Sequence, residues 1–208
     1  MQIKIDLKGI AEVQATLAKL SGKQIASAMA AAINKTAAKG KAEITRAITE
    51  RYNIKANDVR NSVFLRQASA AQGHQVEATI DVFGSTNQKG RSLNMVHFVE
   101  RKVTLGEARK RRKNGTLNQL RFSIIKGAGL KTITGDASLK NGAFIGNNGR
   151  TVFQRIGKSR LRIKPVQVVG VSQMFMFSKI RERVIKHINS EFKTELNRAI
   201  KGKIEGYL

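Results

Sequence analysis

Residues 25–48 read IASAMAAAINKTAAKGKAEITRAI, and this stretch decides the architecture. Ile25, Met29, Ile33, Ala37, Ile44 and Ile48 recur at intervals of four and seven, which puts them on one side of an α-helix. Alanine fills much of the remainder, at Ala26, Ala28, Ala30, Ala31, Ala32 and Ala38. Alanine is the best helix former, and its short side chain lets another backbone come near. Gly40 is the exception, because glycine inside a helix costs about 1 kcal/mol against alanine. That cost points to a kink or a close packing contact. Ser21-Gly22 sets the helix off from what precedes it, and an end near Tyr52-Asn53 is predicted.

Working outward, the far end of the chain carries a second long helix. Ser172 is its expected N-cap, and Phe177, Val184, Ile188, Phe192, Leu196 and Ile200 form one stripe. Lys179, Arg183, Lys186, Lys193 and Arg198 occupy much of the rest. Each stripe is about one side wide and needs a sheet or a helix over it.

Strand-like runs lie between the helices. Val76, Ala78, Ile80 and Val82 alternate with Glu77, Thr79 and Asp81, which is the pattern of an antiparallel strand with one buried face. Runs at 62–66, 95–105, 121–126, 143–145, 152–156 and 166–169 also read as strands, and Asn147-Asn148-Gly149 reads as a hairpin turn. Asn57-Asp58 is expected to cap a brief helical turn, and Pro165, the only proline, to open the last strand. Before the long helix, Ile3, Ile5 and Leu7 alternate as a short strand, and Ile10, Val13, Leu17 and Leu20 share a short helical face. The predicted class is α+β: one antiparallel sheet flanked by a long N-terminal and a long C-terminal helix, in a single domain. Residues 84–140 read as an extended basic loop or hairpin insertion within it.

Charge bounds the partners. The 208 residues hold 39 Lys+Arg against 14 Asp+Glu, a formal net charge of +25. Such an excess repels itself unless an anionic partner neutralises it. Nucleic acid fits, touched through phosphates, because the chain has no Trp and only Tyr52 and Tyr207 as tyrosines to stack on bases. Acidic protein neighbours fit too. Arg101, Lys102 and the dense run Arg109, Lys110, Arg111, Arg112 and Lys113 are the candidate contacts to DNA or a neighbour. The same run also reads as a solvated loop tip.

Signals for catalysis are weak. No cysteine is present, so disulfides, thiolate metal sites and a cysteine nucleophile are excluded. His74, His97 and His187 are scattered and lack metal-ligand spacing. The loop Gly84 to Ser92 has one residue too many for a phosphate-binding loop, and Gly157-Lys158-Ser159 lacks the upstream glycine. No catalytic residue, metal site or cofactor is therefore expected, and an enzyme is the least favoured class. No stretch approaches the roughly 20 apolar residues of a membrane span. A soluble, unprocessed chain without membrane contact is expected.

Three blocks resemble a known family. The first is Ala31-Ala32-Ile33-Asn34-Lys35-Thr36-Ala37 with Tyr52-Asn53-Ile54-Lys55 downstream. The second is Gly142-Ala143-Phe144-Ile145 followed by Gly149-Arg150-Thr151-Val152-Phe153-Gln154-Arg155. The third is Leu161 to Val166 running into Gly170-Val171-Ser172. In order and spacing they resemble the phage minor tail protein Z family, whose members are tail-completion proteins. The resemblance implies a non-enzymatic virion protein at the head-proximal end of the tail, made in the host cytoplasm. It further implies a ring of identical subunits, a hexamer, beside tail terminator and tail tube proteins, acting in head-tail joining. Together with the charge, it places basic residues near the path of phage DNA. The alternative is a free basic double-stranded nucleic-acid-binding protein without catalysis.

Overall fold

A computed structural model of the protein describes residues 21–69, 76–84, 92–99, 120–132, 143–156 and 162–206. The first long helix, α1 (Gly22–Arg51), starts where the sequence places a break. Ser21 caps it: the Gln24 amide donates to Ser21 Oγ, and the Ser21 amide donates to Gln24 Oε1 at 2.9 Å. It ends at Tyr52, as predicted, and Tyr52 itself is extended. A single turn of helix, α2 (Ala56–Arg60), follows. Its cap is Lys55, not the expected Asn57-Asp58. The Asp58 carboxylate instead meets His97 Nδ1 at 2.8 Å.

The strands form four small antiparallel sheets among the described residues, where one sheet was expected. β1 (Val63–Arg66) pairs with β2 (Thr79–Val82), Val63 opposite Val82. β3 (Ser92–Asn94) is paired with β9 (Gln167–Val169), far along the chain. β4 (Arg121–Phe122) pairs with β5 (Lys131–Thr132). β6 (Phe144–Gly146), β7 (Thr151–Arg155) and β8 (Ile163–Pro165) make a three-stranded sheet in that order. The Asn147-Asn148-Gly149 turn between β6 and β7 forms as predicted, with φ of 51°, 51° and 83°. Asparagine and glycine are the residues that accept this left-handed backbone, and with Arg150 they make a four-residue turn between the paired Gly146 and Thr151.

Several boundaries differ for local reasons. The run from Met95 becomes a 3-10 turn, Met95–Phe98, because Asn94 Oδ1 accepts from the Val96 amide and curls the chain. Pro165 ends the edge strand β8 instead of opening the last one. The C-terminal helix is split into α3 (Val171–Phe175) and α4 (Ser178–Ile204). Gly170, not Ser172, caps α3, and Phe177 is the extended residue before α4. The expected strand at 2–8, the short helix at 10–20 and the run 101–113 lie outside the described residues.

The two long helices cover each other's stripes, running antiparallel. One core gathers Ala37, Ile44, Ala47 and Ile48 of α1 with Ile180, Val184 and Ile188 of α4; Val63, Ile80, Leu93, Phe98, Met174 and Phe175 close around them. A second core continues along the same helix pair with Ala28, Ala32 and Ile33 against Phe192, Leu196, Ala199 and Ile200. A third, smaller cluster joins Met95, Val96, Leu120, Ala143 and Val152 under the small sheets. Helix on helix is the main layer, and β1 and β2 pack along it, with Ile80 against Gly40 and Ala68 bonded to Asn34. Alanine and Gly40 explain the choice: a Cβ on Gly40 would lie 2.9 Å from Ile188 Cδ1 and 3.2 Å from Ile80 Cδ1. Of the two uses for this glycine, the structure shows the close contact.

Candidate functional site

The apolar stripe residues sit inside the protein. Ile33, Ile44, Ile48, Val184, Ile188, Phe192 and Leu196 are buried, and Ile25 and Met29 are half-buried near the start of α1. Phe177 precedes α4 and packs against the same core as Ile180, Val184 and Ile188. Its ring is half-buried, with the Arg51 guanidinium stacked 3.9 Å from its centre.

Between the helices runs a charged seam that the sequence reading did not anticipate. Glu43 of α1 and Glu195 of α4 are only 4% and 3% exposed. A buried carboxylate is stable only when cations or donors surround it. Glu43 takes Arg46 from its own helix and Arg183 from the other, both at 2.7 Å. Glu195 takes Arg198 from its own helix at 2.8 Å and Lys39 from the other at 2.6 Å. The arrangement is reciprocal: each helix supplies one glutamate, one arginine three residues on, and one long cation reaching across. Lys39 also meets Glu191 at 2.6 Å, and Arg183 also pairs with Glu50. The Lys39 ammonium holds Glu191 and Glu195 below the ordinary glutamate range, and the Arg183 guanidinium does the same to Glu50. Hydrogen bonds to Glu191 and Glu195 in turn hold Lys39 above the usual lysine range. The repeated Glu-x-x-Arg at 43–46 and 195–198 is the signal in the sequence that marks this seam.

Two asparagines fasten distant backbone. Asn34 Nδ2 donates to the Ala68 carbonyl at 2.9 Å, and the Ala68 amide donates to Asn34 Oδ1 at 2.7 Å. Asn94 holds Val152 in the same two-bonded way, at 3.3 Å and 2.8 Å. Each side-chain amide stands in for a strand neighbour by engaging one N–H and one C=O; the Val152 carbonyl also accepts from the Val166 amide at 2.9 Å. Asn34 is the asparagine of the Ala31 to Ala37 block, so that motif acquires a structural meaning.

Of the acids of the helix pair, Glu43, Glu50, Glu191 and Glu195 are thus engaged at the seam, whereas Glu182 is exposed, and much of the basic surface faces outward. Lys179, Lys186, Lys193 and Lys201 of α4 are all exposed. Among the described residues none of the four forms an ion pair. The sequence-based contact candidates Arg101, Lys102 and Arg109 to Lys113 lie outside the described residues. Among the described residues, no three His, Cys, Asp or Glu side chains gather to hold a metal, and no helix is long and apolar enough to cross a membrane.

This is the geometry of a scaffold: buried charge is tied up internally, and cations are turned outward. Comparison with curated proteins and with solved structures finds no match. A family profile, prophage minor tail protein Z (GPZ), matches residues 7–208, nearly the whole chain. The protein belongs to the prophage minor tail protein Z family and is a structural component of a phage tail.

Proposed function

We propose that the protein completes the tail: it assembles as a ring of identical subunits at the head-proximal end and takes part in joining tail to head. The near full-length family match carries this reading. A helix pair locked by buried ion pairs supports it, since a ring subunit must hold its shape while neighbours press on its surface. Six subunits, with tail terminator and tail tube proteins as neighbours, follow from the family resemblance. Basic side chains lie toward the DNA path, in keeping with the net charge of +25.

Deletion of the gene from an inducible prophage tests it. Electron microscopy is expected to show tails that fail to join heads, with infectivity restored by the gene in trans. Normal infectious particles from the deletion strain would overturn the proposal. The net charge also motivates a second reading, a free binder of double-stranded nucleic acid. Under that reading the deletion leaves tails normal and the protein is absent from purified particles.

A further inference from the structure

We propose that the outward face of α4 is the surface that grips the phosphate backbone of duplex nucleic acid. This deepens the tail reading, on which it rests for the choice of DNA as the neighbour.

The face is set by helical geometry. Val184, Ile188 and Phe192 are buried in the core. At 100° per residue, Lys179, Lys186, Ser190, Lys193, Asn197 and Lys201 fall on the opposite side, and all six are exposed. Successive lysines are separated by about 10–12 Å, and the row spans about 33 Å at 1.5 Å per residue. One turn of B-form duplex is about 34–36 Å long. The row therefore matches a helical turn of a rod carrying one negative charge per roughly 1.7 Å. Glu182, exposed and about 60° off the line, is the acid beside it. On the other flank Glu205, exposed at the C-cap of α4, lies about 80° off the line beside Lys201, and Glu191 and Glu195, farther round, are held by Lys39.

The chemistry favours nucleic acid over an acidic protein. A stable protein interface has an apolar centre. On the line between the lysines stand Ser190 and Asn197, which also donate hydrogen bonds to phosphate oxygens. The large apolar side chain on the line, Ile204, stands at its end. No aromatic ring lies on the row, so bases are not read or stacked. The expected contact is with the backbone, independent of sequence.

The test uses the full-length protein and a 30-base-pair duplex, with binding followed by fluorescence anisotropy across a salt series. Two variants are compared with the parent: K179Q/K186Q/K193Q/K201Q, and R109Q/K110Q/R111Q/R112Q/K113Q. The parent is expected to bind two unrelated duplexes equally. The α4 variant is expected to lose at least about 10-fold in affinity at low salt. Its slope of log affinity against log salt should fall by about 3–4, at roughly 0.9 per phosphate contact. Its thermal melting should be unchanged, since all four lysines are exposed. An unchanged slope in the α4 variant overturns the proposal, including the case where only the 109–113 variant loses it. So does a parent protein that binds no duplex at low salt. An α4 variant that keeps parental DNA binding but fails to join tails would assign the face to an acidic protein and overturn it too. The tail reading is judged separately, by whether the protein is present in purified particles.

Discussion

At the scale of single residues, Gly40 and Asn34 are two positions whose surroundings leave little room for change. Gly40 lies where α1 comes nearest to Ile188 and Ile80, and a methyl group there would press on three side-chain atoms. Gly40→Ala gains helix propensity of about 1 kcal/mol but overpacks a filled core, which costs about 1–3 kcal/mol. A net loss of about 1 kcal/mol in urea unfolding is expected, with part of it regained by Ile188→Val in the same chain. A variant more stable than the parent would show that the contact yields freely. Asn34→Ala removes both bonds to Ala68 and leaves a backbone donor and acceptor near a buried site. A loss of about 2 kcal/mol is expected by the same measurement, and Asn34→Asp should lose nearly as much because the carboxylate cannot donate to the Ala68 carbonyl.

At the scale of elements, the ion-paired seam makes the helix pair sensitive to acid. Glu50, Glu191 and Glu195 have folded-state values held below the ordinary glutamate value of 4.5. A carboxyl group lowered in this way stabilises the fold above its unfolded value and loses that contribution as pH falls through the folded one. Stability is therefore expected to be flat near neutrality and to drop as pH falls below about 4.5. Glu195→Gln should be less stable at pH 7 yet lose less on acidification, measured by urea midpoints at pH 7 and pH 4. Equal acid sensitivity in the two chains would remove Glu195 from the account. Lys39, held above its ordinary value, keeps its contribution up to high pH and loses it as pH rises through the folded value.

The helices themselves were legible in the sequence because long apolar stripes at period 3.6 have few other readings. Their mutual packing was not, since the same stripe suits a sheet or a helix. Alternation revealed β2, but it says nothing about partners, and β3 finds its own in β9, with residues 95–166 between. The split at Met176-Phe177 was hidden because the apolar spacing continues across it. Of the candidate surface, Lys179, Lys186 and Lys193 were readable as the non-core side of the last helix, whereas the buried role of Glu43 and Glu195 needed both helices in place.

At the scale of the whole molecule, charge and shape divide the labour. Glu43, Glu50, Glu191 and Glu195 bind the two long helices together, and the outward cations are left for neighbours. Neutralising Arg109 to Lys113 is expected to leave the helical circular dichroism signal and the melting temperature unchanged while reducing the yield of infectious particles. A fall in helicity would show that the run supports the fold. The pairing of α1 with α4 also has a consequence for synthesis. The first helix leaves the ribosome long before the last one exists, and at about 5–20 residues per second its oily side waits roughly 10–30 s for its cover. A message cut short before residue 178 yields a product whose first helix stays bare, prone to clump or to be degraded. Nascent chains of this kind call for chaperone shelter, and only a fully translated polypeptide can be admitted to a growing virus particle.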